Sequence, residues 1–142
     1  MWADSLQLAE QQHLFRLFVW SEASILVGGL MLAVLLWRRL EWPMLRHFAM
    51  QTAAWGGVIL IVAIVAWRQL AIRDHAAAVR LDRMVWLNIG LSLGYVAVGL
   101  ALALLGRFGS RRPGLIGAGV AIIVQGSVLA MLDFAFAQQI AR

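Results

Sequence analysis

Residues 115–137 read LIGAGVAIIVQGSVLAMLDFAFA, an apolar run in which Asp133 is the only charged residue. An α-helix rises about 1.5 Å per residue, so roughly 20 residues cross the hydrocarbon core of a bilayer. Three further runs of similar length precede this one, at residues 19–37, 48–67 and 84–106. The sequence therefore predicts an all-α integral membrane protein, in which four transmembrane helices form a bundle of two consecutive hairpins.

The overall composition agrees with a lipid environment. Apolar residues make up 63% of the chain and charged residues 13%, which lies outside the range of soluble globular proteins. The 142 residues predict a single membrane domain, 1–142, without a separate soluble domain. The chain has no cysteine, which excludes disulfides and thiolate chemistry.

The net charge of +5 comes from arginine alone, because the chain contains no lysine. The arginines are grouped at the ends of the predicted spans, a placement typical of membrane anchoring and not of a nucleic-acid surface. The connections after the first and third spans carry three arginines each. Their density favours both termini on the non-cytoplasmic side.

Residues 1–18 are predicted to form a short amphipathic helix. Apolar residues recur there at helical spacing, and Asp4 or Ser5 can cap the helix. The segment contains Glu10 and Arg16 and has no basic stretch ahead of an apolar core, so it does not resemble a signal peptide. The helix either lies in the membrane interface or lengthens the first span, and we expect the interfacial position.

The two halves of the chain align without a gap when the sequence is shifted by 70 residues. The shift places Gly29 over Gly99 and Pro43 over Pro113. An internal repeat of this kind would relate two hairpins by a pseudo-twofold axis along the membrane normal. Apolar helices rich in leucine, alanine and glycine also align by chance, so both interpretations stay open.

Polar side chains inside the apolar runs are the first candidates for a functional site, because they are costly in hydrocarbon. Five of them fall towards the end of the bundle that carries the termini: Glu22, Asn88, Ser92, Tyr95 and Asp133. This polar cluster predicts either an ion or proton site or a set of structural pairs with nearby arginines.

A second set of residues predicts contacts between helices. Gln125 is expected to hydrogen-bond across to another helix, and glycines permit a close approach of helix backbones. The expected contact residues are Gln125, Gly126, Gly56, Gly57, Gly90 and Gly94.

The histidines lie outside the four apolar runs, at His13, His47 and His75. A haem held within a bundle needs an axial ligand at membrane depth, and the runs offer no histidine for it. Neither a catalytic triad motif nor a glycine-rich phosphate loop nor an HExxH sequence is present. We therefore expect no cofactor, no metal site and no enzymatic activity.

Three segments resemble a group of uncharacterised four-span bacterial membrane proteins. They are residues 51–57, 87–95 and 125–134, which read QTAAWGG, LNIGLSLGY and QGSVLAMLDF. Members of the group tend to carry an acid where this chain has Ser92 and a polar residue near Ile59. The resemblance implies a multi-pass protein of the bacterial cytoplasmic (inner) membrane, and it implies no particular activity.

Two functions remain after these exclusions. The first is a non-enzymatic structural or accessory subunit that packs within a larger membrane protein complex. The alternative is a small transporter or ion-translocating protein that uses the polar cluster. The expected partners are membrane lipids and other membrane subunits or further copies of the chain.

Overall fold

The protein is a bundle of four long helices. The computed structural model describes residues 2–109 and 111–140, and its helices are α1 (Trp2–Trp37), α2 (Pro43–Arg68), α3 (His75–Leu104, continued by a π-helical turn at Leu105–Gly109) and α4 (Pro113–Ile140). The described residues contain no strand. All four helices are long and apolar enough to cross a membrane. The prediction of an all-α, four-span bundle is confirmed.

The N-terminal segment differs from the expected interfacial helix over residues 1–18. From Trp2 onwards it is continuous with the first span, so α1 is a single helix of 36 residues. One face of this segment packs into the bundle, where Leu14 and Leu17 form a buried cluster with Ile59 and Ala63 of α2. Because burial of that face stabilises the helix beyond the apolar run, the segment lengthens α1.

Local sequence sets where the later helices begin. Pro43 stands in the first turn of α2. A backbone N–H at this position would have no acceptor within the helix, so its absence in proline costs no hydrogen bond. Asp74 caps α3, because its carboxylate accepts a hydrogen bond of 2.7 Å from the Ala77 amide. Helix α3 therefore begins at His75, nine residues ahead of the third apolar run.

The helices are arranged unequally around α4. Helix α4 packs against each of the other three helices, and α1 packs against α2. Within the described residues, no Cα atom of α3 lies within 8 Å of a Cα atom of α1 or α2. The backbone of α3 therefore packs closely against α4 alone, and α3 meets α2 only through side chains such as Tyr95 and Trp55.

The internal repeat is visible in the glycine contacts of the two hairpins. A Cβ atom on Gly28 in α1 would lie 2.6 Å from the amide nitrogen of Ala53 in α2. A Cβ atom on Gly99 in α3 would lie 2.9 Å from the amide nitrogen of Ile123 in α4. The sequence shift had paired Gly29 with Gly99, but the residue equivalent to Gly99 is Gly28.

The second helix of each hairpin shows the same relation. Gly56 approaches the carbonyl oxygen of Ser21, and Gly126 approaches the carbonyl oxygen of Ser92, with distances of 2.9 and 2.8 Å from the position of an added Cβ. The sequence offset is 71 residues in the first helices and 70 in the second, so the second hairpin has a connection one residue shorter. The two hairpins are structural repeats.

Candidate functional site

A cavity of about 220 Å³ lies in the gap between α2 and α3. Its polar lining residues are His13, Trp55, Asn88, Ser92, Tyr95 and Asp133. The cavity lies in the half of the bundle on the side of both termini, hereafter the terminal end, and reaches the level of Trp55 near the middle of α2. Four of the five residues of the predicted polar cluster therefore surround one cavity.

One polar contact in the lining of the cavity joins His13 to Asp133. The His13 Nε2 and Asp133 Oδ1 atoms are 3.3 Å apart, and both side chains are buried. The imidazole also stacks on Phe136, with ring centroids 4.5 Å apart and planes 9° from parallel. A carboxylate only accepts hydrogen bonds, so a hydrogen bond between these two atoms would be donated by Nε2.

The other ring nitrogen of His13 has no such partner. His13 Nδ1 is buried and makes no hydrogen bond within the described part of the chain. In a neutral imidazole that donates from Nε2, the Nδ1 atom is an acceptor. His13 Nδ1 has almost no accessible surface, so it is a buried polar atom without a partner and does not face the cavity, and such an atom is costly in free energy.

An ion pair covers the terminal end of the bundle beside His13. Arg73, in the connection between α2 and α3, donates from Nε and Nη2 to the two carboxylate oxygens of Glu10, at 2.9 and 2.5 Å. The hydrogen bonds that Arg73 donates to the Glu10 carboxylate raise the pKa of the Arg73 guanidinium above its ordinary value. This two-point contact ties the connection to α1, one helical turn from His13.

Aromatic rings hold the gap at its deeper end. Trp55 of α2 meets Tyr95 of α3 edge to face, with centroids 4.9 Å apart. Asn88, Ser92 and Tyr95 share one face of α3, as their spacing predicts, and line the cavity. None of these three side chains has a hydrogen-bond partner within residues 2–109 and 111–140.

On the opposite side of the bundle, Gln125 joins α4 to α1. Its Oε1 atom accepts a hydrogen bond of 2.8 Å from Trp20 Nε1, and its Nε2 atom donates one of 3.1 Å to Ser24 Oγ. The repeat relates the Gln125–Ser24 contact to the Trp55–Tyr95 contact, by the same offsets of 70 and 71. At these related positions, hydrogen bonds therefore join α1 to α4, whereas aromatic rings keep the backbones of α2 and α3 apart.

The glycines expected at helix contacts divide into two groups. Gly56 and Gly126 make the close approaches described above. Gly57, Gly90 and Gly94 have open space where a Cβ atom would be, so they make no close approach to another helix in the part of the chain that the structure describes. The expectation for these three is corrected, because the contact face of α3 runs through Ser92 and Gly99.

Glu22 does not join the polar cluster. Its neighbour Ser21 is completely buried, whereas the Glu22 side chain is exposed on the outer surface of α1. The position of Glu22 along the first apolar run predicts that it lies near Asp133, but α1 is rotated so that His13 faces Asp133 instead. His13 was missed because the first turns of α1 were assigned to the interface; its spacing of four from Leu17 was the available signal.

The hydrogen bonds of Gln125 lead to a direct prediction. Gln125→Leu removes both bonds and leaves the partly buried Trp20 indole N–H without an acceptor, so we expect a loss of about 1–2 kcal/mol of unfolding free energy. The measurement is equilibrium unfolding in a mild detergent. Val124→Leu, an exposed position on the same helix, is the control. Identical unfolding midpoints for the two variants would contradict the prediction.

Within the described residues, no three histidine, aspartate or glutamate side chains are grouped as metal ligands. Comparison with protein families finds a match over residues 16–134 to a family of unknown function, DUF6992, and the chain belongs to that family. No curated protein and no solved structure matches the chain. The family has no assigned activity, so the function must be argued from the residues themselves.

Proposed function

We propose that the chain is a non-enzymatic, multi-pass subunit of a membrane protein complex, and that the outer face of α1 around Glu22 contacts a transmembrane helix of another subunit. The membrane is the bacterial cytoplasmic membrane, with both termini on its non-cytoplasmic side. The observation that carries the proposal is an exposed carboxyl group at membrane depth that has no polar partner among the described residues of its own chain.

The depth of Glu22 follows from its neighbours. Trp20 and Ser24 flank it on α1, and both are hydrogen-bonded to Gln125. Gln125 lies about 18 Å along α4 from Pro113, well inside a hydrocarbon core of about 30 Å. Glu22 is at the same level, so it is deeper than Asp133.

A carboxyl group at this depth requires a partner. A charged side chain near the centre of a membrane helix costs on the order of 3 kcal/mol, and such residues normally face protein or water. Within the described residues, Glu22 makes neither an ion pair nor a hydrogen bond. A helix of another subunit that offers a positive charge or a hydrogen-bond donor at this depth would remove the cost.

The surface next to Glu22 suits helix packing. Leu26, Gly29 and Ala33 follow it at intervals of four, three and four residues, so they lie on one stripe of α1. All three are exposed, and no atom lies within 4 Å of the place where a Gly29 Cβ would be. Two small residues four apart allow two helices to approach closely in a membrane.

The cavity gives less support to the alternative function, transport across the membrane. Its lining runs from the terminal end to the level of Trp55 and Tyr95 and is not continued by the residues near Pro43 and Pro113. An ion path would need polar groups or water along the remaining half of the bundle. A cavity of half the membrane depth suits binding better than passage.

The test is gentle purification from native membranes, followed by mass spectrometry of the co-purifying chains. We expect a second membrane protein with the natural chain, at least a tenfold lower recovery of it with Glu22→Leu, and partial recovery with Glu22→Gln, whose amide still forms hydrogen bonds. Val27→Leu, on another exposed face of α1, is the control and should keep the partner.

Glu22→Leu should leave the thermal stability of the isolated chain unchanged, because Glu22 has neither a hydrogen bond nor an ion pair to lose among the described residues. A natural chain that purifies only as a monomer or homodimer would refute the proposal. A partner that is retained by Glu22→Leu would show that another surface of the chain binds it.

A further inference from the structure

We propose that the end of the bundle opposite the termini, hereafter the loop end, binds an anionic phospholipid. Its phosphate lies among the arginines of the first and third connections, and an acyl chain packs in the cleft beside Trp42. The proposal does not depend on the Glu22 surface. It rests on the unequal charge of the two ends, on two arginines with a strained backbone and on an amphipathic cleft at headgroup depth.

The two ends of the bundle differ in charge. The loop end carries six of the twelve arginines and a single acidic residue, Glu41. The other six arginines share their half of the bundle with six acidic residues, so the net charge of +5 lies entirely at the loop end. The six arginines of the loop end are Arg38, Arg39, Arg46, Arg107, Arg111 and Arg112.

These six positive charges are not neutralised within the described part of the chain. Glu41 makes no ion pair there, and the six arginine side chains are all exposed. Arg107 lies over the ring of Phe108, 5.7 Å from its centroid, which leaves the charge uncompensated. A cluster of four to eight basic residues next to membrane helices attracts anionic lipids.

Two of the arginines occupy a backbone conformation that favours glycine. The φ angle is 51° at Arg39 and 49° at Arg111. At the end of α1, the amides of Arg39 and Leu40 donate to the carbonyl oxygens of Leu36 and Leu35, at 3.2 and 2.9 Å. This is a Schellman motif, in which the left-handed residue is usually glycine. Both connections therefore keep an arginine where glycine would be less strained, and strain of this kind favours a role for the charge.

A cleft of about 550 Å³ opens beside the first connection. Its lining includes Leu40, Glu41, Trp42, Arg46, His47 and Met50. The apolar side chains of this set suit an acyl chain, and the Arg46 guanidinium suits a phosphate. The charge of Glu41 is outweighed by the arginines of the two connections.

The third connection lies against the start of α2, so both connections reach the cleft. A Cβ atom on Gly114 would be 2.8 Å from Nδ1 of His47, which lines the cleft. Arg111 and Arg112 stand just before α4 and are therefore close to it. Helices α2 and α4 both begin at this level, which is the boundary between headgroups and hydrocarbon. A phospholipid has its phosphate and its acyl chains on the two sides of that boundary, whereas a soluble anion would occupy only the polar side.

The experiment lets two lipids compete for the full chain. The chain in a mild detergent receives equal amounts of phosphatidylglycerol and phosphatidylcholine with the same acyl chains, and native mass spectrometry identifies the bound lipids by mass. We expect bound phosphatidylglycerol to exceed bound phosphatidylcholine about fivefold or more. Equal binding of the two lipids would overturn the proposal. Glycerol 3-phosphate in large excess should not displace the lipid, and displacement would overturn the assignment to a phospholipid in favour of a soluble phosphate.

The double variant Arg39→Gly with Arg111→Gly removes two charges and relieves two strained conformations. The preference for phosphatidylglycerol should fall to about twofold or less, while the thermal unfolding midpoint stays the same or rises. If this variant does not fold, Arg46→Gln with Arg112→Gln takes its place, because both side chains are exposed, and it should lower the preference equally. An undiminished preference in the folded variant would overturn the proposal.

The matched control is Arg68→Gln with Arg83→Gln. Both arginines are exposed at the terminal end, and their loss changes the net charge by the same amount. This variant should keep the natural preference for phosphatidylglycerol. An equal loss of preference in the control would show that the lipid responds to net charge and not to the loop end, which would also overturn the proposal.

Discussion

Gly117→Ala is expected to destabilise the bundle by about 2–3 kcal/mol, although alanine is the better helix former. A Cβ atom at position 117 would overlap the backbone carbonyl group of Met44 in the first turn of α2. A backbone contact is not relieved by a change of rotamer, so α4 and α2 must move apart. Separation of these helices also weakens the packing of Leu129 and Leu132 of α4 against the buried cluster that contains Ile59 and Ala63 of α2.

The measurement is equilibrium unfolding in a mild detergent, with Gly57→Ala as the matched control. An added Cβ atom at Gly57 would have no neighbour within 4 Å. That variant should be neutral or more stable by up to about 1 kcal/mol, because alanine has the higher helix propensity. Equal effects at the two positions would show that α4 does not approach α2 as described.

Variants that break the pair of His13 and Asp133 should give the second large loss of unfolding free energy. His13→Phe leaves the Asp133 carboxylate buried without its partner, and loss of one member of a buried pair costs about 3–5 kcal/mol. Asp133→Leu leaves a neutral imidazole instead of an ion and should cost less, about 1–3 kcal/mol. Both values refer to unfolding free energies in the same detergent.

The double variant, His13→Phe with Asp133→Leu, is the decisive measurement. Replacing both members of a buried polar pair by apolar residues of similar shape is close to neutral, so we expect a stability within about 1 kcal/mol of the natural chain. The two single effects are then strongly non-additive. Simple addition of the two losses would mean that the side chains do not interact.

Much of the polar site was predictable on α3 and α4 but not on α1. Asn88, Ser92 and Tyr95 share a face at any helical rotation, because their spacing of four and three residues alone places them together. The sequence alone could not decide which of Glu22 and His13 lies beside Asp133. Their relation to Asp133 depends on how α1 is rotated and how far it extends, and neither is contained in a count of apolar residues.

The glycines show the same division. On the sequence, Gln125 and five glycines were equivalent candidates for contacts between helices. A close approach, however, requires a second helix backbone opposite the glycine. Gly56 and Gly126 have one, because their positions are related by the repeat and each faces the first helix of its own hairpin. Gly90 and Gly94 have none among residues 2–109 and 111–140, because α3 turns its opposite side to α4.

The apolar runs alone determined the solvent, the number of helices and the order of the hairpins, because the length and hydropathy of a run decide whether a helix spans a bilayer. Tertiary structure alone decided which helices meet. The position of α4 at the centre, the gap beside α3 and the pairing of His13 with Asp133 arise from the rotation and offset of packed helices. Those quantities are set by contacts between residues far apart in the chain, such as Gly117 with Met44, and no local pattern contains them.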